Sequence, residues 1–192
     1  MPQQDYRFTA WFLANWSRAG LPAGAILLAL SPLLFAWLPL PVFLIYFQLP
    51  IYMLHQYEEH AHGAFQAYIN RELAGGKDAL TLPAIFWINV LCVWALDLAV
   101  LYLAAGVSLW LGLIAIYLPL VNAVIHIVMA LVKRQYNPGL WTSLVLFLPV
   151  GGYALARVAQ AAHASFGAHA ASLGVALLIH AAMVVAIQVR IR

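Results

Sequence analysis

Residues 41–62 have the sequence PVFLIYFQLPIYMLHQYEEHAH, in which an apolar run leads directly into two adjacent glutamates and three histidines. Only 8% of the chain is charged and 66% is hydrophobic, so this concentration of ionisable groups is the exception in the sequence. Ionisable side chains at membrane depth are costly in free energy and are candidates for function by default. The stretch therefore indicates a membrane-spanning helix that carries a functional site.

A helical arrangement would place most of these polar groups on one face. With His55 taken as zero and about 100° per residue, Glu59 lies at about 40° and His62 at about −20°. Glu58 lies at about −60°, so these four side chains share one face of the helix. His60, at about 140°, is predicted to point away from that face.

The composition predicts the fold class. The chain has 192 residues and a mean hydropathy of +0.92, with far fewer charged residues than the ~25% that is typical of soluble domains. We predict an all-α polytopic bundle of about six transmembrane helices, each near the ~20 residues that the hydrocarbon layer requires. The predicted spans are residues 21–37, 42–68, 80–105, 109–132, 140–156 and 173–189. Residues 1–20 are predicted to form an interfacial lead-in, and residues 21–192 a single transmembrane domain.

The basic residues predict the orientation in the membrane. With six spans, Arg157 alone lies on one side of the membrane, and the other eight lie on the opposite side: Arg7, Arg18, Arg71, Lys77, Lys133, Arg134, Arg190 and Arg192. Because Lys and Arg accumulate on the cytoplasmic side, both termini and the half of the membrane that contains the site are predicted to be cytoplasmic. These charges lie at the ends of apolar runs, so the net charge of +3 is no sign of nucleic-acid binding.

The fourth predicted span also carries polar residues, at about the same predicted depth in the membrane as His55, Glu58 and Glu59. Asn122 and His126 are four residues apart on the fourth span and therefore share a face. Imidazole and carboxylate groups are the ligands of catalytic zinc and non-haem iron. We therefore predict a zinc or iron site of one or two ions, with His126 as a further ligand and Asn122 in a catalytic supporting role. The spacing Glu59-x-x-His62 also occurs in di-iron carboxylate bundles. Interhelical hydrogen bonds alone are the alternative.

The other polar residues lie outside these two helical faces. Arg134 and Tyr136 are predicted to contact a substrate headgroup, although a turn that carries topological charges explains them as well. Whether His180 or Asn89 joins the site is left open by the sequence. Asp97, nearer the far side of the membrane, is predicted to hydrogen-bond to a neighbouring helix.

Three motifs in order resemble those of the HXXEE domain proteins, which are small bacterial integral membrane proteins. They are His55-x-x-Glu58-Glu59, Asn122-x-x-x-His126 and Arg134-x-Tyr136-Asn137-Pro138-Gly139. The resemblance covers residues 33–149 and implies a location in the bacterial cytoplasmic (inner) membrane. It supports the choice of residues, but the family has no established reaction, so it implies neither a substrate nor a cofactor.

Several functions fit these residues. The leading hypothesis is a metal-dependent hydrolase that acts on a lipid or other amphiphile at the cytoplasmic leaflet, with Glu58 as general base or fourth ligand. The alternatives are a di-iron oxygen-dependent oxidoreductase, a proton- or ion-coupled transporter, and a non-catalytic metal-binding protein. The chain has no His-Glu-x-x-His motif, no glycine-rich phosphate loop and no Gly-x-Ser-x-Gly motif. The short first span fits a homodimer contact and lipid anchoring equally well.

Overall fold

The computed structural model describes residues 2–191, with side chains from Thr9 to Ile191. Within this range the chain forms helices and no strand, which confirms the predicted all-α class. Two of the eight basic side chains that predict the orientation, those of Arg7 and Arg192, lie outside the described part.

Seven helices follow one another in the described chain. They are α1 (Pro2–Trp37), α2 (Leu40–His60), α3 (Ala64–Glu72), α4 (Leu82–Gly106), α5 (Leu109–Lys133), α6 (Leu140–Ala161) and α7 (Phe166–Ile191). Five of them, α1, α4, α5, α6 and α7, are long and apolar enough to cross a membrane. The sixth long helix, α2, has 21 residues and carries the polar stretch that lowers its hydropathy.

The first helix begins earlier than the first predicted span. α1 continues through Gly20 without a break, and its candidate membrane span begins at Thr9. Pro22 lies inside this helix, where a tilt or kink can accommodate it. The division between an interfacial lead-in, residues 1–20, and a transmembrane domain, residues 21–192, therefore stays a prediction without a matching helix boundary.

The second predicted span is interrupted, and its continuation to Tyr68 is wrong. α2 ends at His60, and the next residues His62 and Gly63 adopt left-handed backbone conformations, with φ of 61° and 71°. Glycine takes this conformation without steric cost and commonly ends helices. The short helix α3 then follows in a new direction, so His62 no longer shares a face with His55.

α2 lies at the centre of the bundle. Most of its residues are buried, and it packs against α1, α4, α5 and α6. Two of the helices that pack against α2 each contain a π-helical turn, at Val90–Ala95 in α4 and at Ser143–Phe147 in α6. Such turns widen a helix locally and frequently lie at functional sites.

Candidate metal centre

Three predicted ligands meet between α2 and α5. His55, Glu59 and His126 each offer a ligand atom, and these atoms all lie within 4.8 Å of one another. Nε2 of His55 is 3.5 Å from Oε2 of Glu59, and Nε2 of His126 is 3.5 Å from Oε1 of Glu59. The residues are 0%, 5% and 1% exposed, respectively. We call these three residues the His-Glu-His group.

A threonine at the start of α6 fixes the tautomer of His55. Nδ1 of His55 lies 2.8 Å from Oγ1 of Thr142. The Thr142 hydroxyl donates its single proton to Glu58, so in the contact with His55 it accepts. Nδ1 therefore carries the proton and Nε2 carries the lone pair that faces Glu59. Among the described residues this Nε2 has no hydrogen-bond partner.

An asparagine fixes the tautomer of His126 in the same way. Nδ2 of Asn137 donates to the main-chain oxygen of His126 over 2.9 Å, which sets the orientation of the amide. Oδ1 of Asn137 then accepts from Nδ1 of His126 over 2.6 Å. In its neutral form, His126 therefore also directs the lone pair of Nε2 at Glu59.

The His-Glu-His group thus directs acceptors at one another in a buried space. Acceptors that converge in this way are stable only when a proton or a metal ion lies between them. Two ligand atoms about 2.1 Å from a tetrahedral ion are about 3.4 Å apart, close to the separations at Glu59. Hydrogen bonds from the second ring nitrogen to an oxygen acceptor are the usual support of metal-binding histidines. The three residues therefore form a group that could hold a metal ion.

The loop after α5 closes over the two imidazole rings. Gly139 has φ of 97°, and a Cβ atom built on it would lie 2.7 Å from Cε1 of both His55 and His126. Only glycine supplies both the backbone conformation and the absence of a side chain that this approach requires. The loop therefore packs directly against both imidazole rings of the His-Glu-His group.

Glu58, predicted as a general base or fourth ligand, lies outside the His-Glu-His group and against the start of α6. Its oxygens accept hydrogen bonds from the main-chain N–H groups of Trp141 and Thr142, over 3.1 and 2.8 Å, and from both neighbouring hydroxyls, Tyr136 and Thr142. A carboxylate at the N-terminus of a helix satisfies its free N–H groups. Burial and the adjacent Glu58 carboxylate raise the pKa of Tyr136 to about 12, so its phenol stays protonated and donates to Glu58.

The structure does not bring His62 or Arg134 to the His-Glu-His group. The helix break at the end of α2 moves His62 to an exposed place, where its Nδ1 lies 2.6 Å from Nη2 of Arg18. Arg134 is exposed and ends α5 in a left-handed conformation, with φ of 52°. Tyr136, predicted to contact a headgroup, instead binds Glu58 over 2.9 Å.

His60 lies beside the group, and the prediction that it points away is wrong. The helix unwinds at His60, where φ is −107°, and this brings its Nε2 to 3.1 Å from Oε2 of Glu59. A chain of hydrogen bonds supports it. Nε1 of Trp94 donates to Gln56, Gln56 donates to Asn89, and Nδ2 of Asn89 lies 3.3 Å from His60. Asn89 therefore joins the surroundings of the site through His60.

A cavity of about 40 Å³ adjoins Glu59 and His60, and none of its lining residues belongs to the loop. This volume has room for a few waters, since one water occupies about 10–15 Å³ by such a measure. Asn122 and His180 line the cavity. Asn122 makes no hydrogen bond to His126, and its buried Oδ1 has no partner among the described residues. The predicted support of His126 thus comes from Asn137, and Asn122 faces the cavity.

Asp97 also departs from its predicted role. It lies on α4 and is 3% exposed, and neither carboxylate oxygen has a hydrogen-bond partner in the described chain. The prediction of a bond to a neighbouring helix is therefore wrong. The side chain is outside the His-Glu-His group.

We expect Asp97→Val to raise the free energy of unfolding by about 1–2 kcal/mol, because it replaces a buried polar group without a partner by an apolar one of similar size. Thermal unfolding in detergent checks this. Asp78→Val is the control, since Asp78 is exposed and accepts a hydrogen bond from Asn70. A lower midpoint for Asp97→Val than for the control would contradict the expectation.

Residues 46–154, more than half of the chain, match a family described as protein of unknown function with HXXEE motif. The matched segment contains the His-Glu-His group and the loop that covers it. The resemblance drawn from the three motifs is confirmed. No curated protein and no solved structure matches the chain.

Proposed function

The chain belongs to the HXXEE family, whose function is unknown, and we propose that it is a membrane-embedded enzyme that uses one divalent metal ion held by the His-Glu-His group. The reaction that we propose is hydrolysis of a lipid or other amphiphile in the cytoplasmic half of the bacterial cytoplasmic membrane. One observation carries this proposal. The lone pairs of His55 and His126 converge on Glu59, with the opposite ring nitrogen of each histidine already bound.

The ligand set favours catalysis over a structural role. Structural zinc sites have four protein ligands, whereas catalytic zinc sites commonly have three, including sets of two histidines and one glutamate, and leave one position open. A metal ion in such a site supplies a Lewis acid and lowers the pKa of bound water. The cavity beside Glu59 provides space for a reacting group, and the packing of Gly139 against both imidazole rings limits the access of water from that direction.

The geometry supports one ion rather than two. A di-iron site needs more carboxylate ligands than Glu59 alone. Glu58 is bound to the start of α6, and His62 lies against Arg18. The di-iron oxidoreductase is therefore a weaker proposal than the hydrolase. A proton-coupled transporter has one supporting observation, the buried and unpaired carboxylate of Asp97.

The test is the metal content of the purified protein. We expect about one equivalent of zinc or iron per chain after chelator-free purification in detergent, measured by inductively coupled plasma mass spectrometry. Glu59→Gln should retain less than about a tenth of that metal, because the amide removes the charge that neutralises the ion. The control Glu72→Gln removes a carboxylate that pairs with Arg71 and Lys133 and should retain all of it. Absence of metal after attempted reloading, or equal metal in Glu59→Gln, would overturn the proposal.

A further inference from the structure

A groove on the outside of the bundle runs between α5 and α7. Its lining is almost entirely apolar, and several of the side chains are about half exposed, among them Val124 at 54%, Leu177 at 50% and Val184 at 51%. The groove measures about 600 Å³ and opens away from the bundle. In a membrane this surface faces hydrocarbon, so the groove suits an acyl chain.

His180 connects this groove to the site. It lines both the groove and the buried cavity that contains Glu59 and His60, although it is only 6% exposed. Its Nδ1 lies 2.8 Å from the main-chain oxygen of Ala176, which accepts, so Nδ1 carries the proton. Nε2 is left as an acceptor with no partner among the described residues.

The polar groups of the cavity indicate which lipid headgroup can bind there. Its lining has no Lys or Arg to neutralise an anion, and it includes the Glu59 carboxylate. The bare Nε2 of His180 and the unpartnered Oδ1 of Asn122 are both acceptors. A buried acceptor without a donor costs free energy, so these two favour a ligand that carries a donor over one that does not. A phosphate or carboxylate head brings only acceptors and negative charge, whereas a hydroxyl or amide N–H supplies the donor.

We propose that the substrate is a neutral single-chain lipid, whose small head carries a hydroxyl or amide N–H that binds His180 in the cavity, and whose chain lies in the groove between α5 and α7. The reaction of this lipid rests on the proposed function, whereas its binding to the groove and cavity does not. The lipid enters sideways from the membrane, because the groove opens toward hydrocarbon and shares His180 with the cavity.

The test uses two photoactivatable probes with the same chain, which carries a diazirine at its middle. One is a glycerol monoester and the other is the free fatty acid. In the full-length protein in detergent we expect the monoester to label groove residues saturably and at least about five times more than the acid, as located by mass spectrometry. Equal labelling by the two probes would overturn the assignment of the head.

Three variants separate the contributions of groove and cavity. Leu177→Trp fills the groove and should lower monoester labelling at least about fivefold. Leu178→Trp, on the same helix but outside the groove and 70% exposed, should leave it unchanged. His180→Leu should keep chain labelling but reduce the ratio of monoester to acid to about one. Equal labelling of the two tryptophan variants, or an unchanged ratio in His180→Leu, would overturn the proposal.

Metal content is measured on the same samples. Labelling that follows the expected pattern in protein without metal supports the lipid site and overturns the metal-dependent reaction. Metal bound at one equivalent, with no difference between the probes, supports the metal centre and overturns the lipid assignment.

Discussion

Gly139→Ala should lower the affinity for metal by about 100-fold and destabilise the protein. The added Cβ would lie 2.7 Å from Cε1 of His55 and of His126, so the rings or the loop must move. Displacing the supports of metal-binding histidines costs about 10–100-fold in affinity, and here both rings are displaced together. A residue other than glycine at this positive φ adds about 1–2 kcal/mol of backbone strain. Metal titration and thermal unfolding of the purified variant measure the two effects.

Gly76→Ala is the matched control for this prediction. Gly76 has φ of 86°, close to that of Gly139, but no atom lies within 4 Å of a Cβ built there. The control therefore carries the backbone strain without the contact with the imidazole rings. We expect it to bind metal like the native protein. If Gly139→Ala also bound metal normally and lost no more stability than Gly76→Ala, the loop would have no role in positioning the rings.

Glu58→Ala should have the next largest effect, a loss of about 3 kcal/mol in the free energy of unfolding. Glu58 accepts two main-chain hydrogen bonds from the first turn of α6 and one from each hydroxyl of Tyr136 and Thr142. Hydrogen bonds to a charged group contribute about 1.5–3 kcal/mol each, and these four are not additive. Thr142 would also be free to rotate, so His55 would lose its fixed tautomer and metal affinity should fall about 10-fold.

Two further variants test this explanation by thermal unfolding and metal titration. Glu72→Ala removes another carboxylate from the same end of the bundle but none of the bonds to α6, so stability and metal affinity should stay near the native values. Glu58→Gln keeps one acceptor oxygen and should lie between the native protein and Glu58→Ala. A Glu58→Ala variant that lost metal affinity without losing stability would show instead that Glu58 acts directly at the ion.

Much of the fold follows from the sequence because hydrocarbon imposes a length and a polarity on each span. The apolar runs predicted all six long helices, and the family resemblance is confirmed. The predicted end of α2 is wrong because the helical pattern continues in the sequence through Gly63, which adopts a left-handed conformation. A glycine is a common helix-ending signal. By that signal the helix ends near Gly63, and His62 no longer shares a face with His55.

The ligands were easier to predict than the residues that hold them. His55 and Glu59 lie one turn apart on a helix, so spacing alone places them together. The sequence alone assigns no supporting role to Asn137 or Thr142, because their contacts with the histidines depend on how the loop after α5 folds back. The sequence of Asn137, Pro138 and Gly139 signals a turn, but a turn motif does not say which side chains it will approach.

The bonds between Glu58 and α6 have a consequence for how the protein is made. Thr142 follows Glu58 by 84 residues, so when α2 leaves the ribosome its carboxylate has no partner yet. The nascent protein must hold α2 at the edge of the bilayer, or against the insertion machinery, until α5 and α6 have been synthesised. A ribosome stalled before the codon for Thr142 should therefore carry an α2 that an aqueous chemical label still reaches, and release of the full chain should end that reactivity.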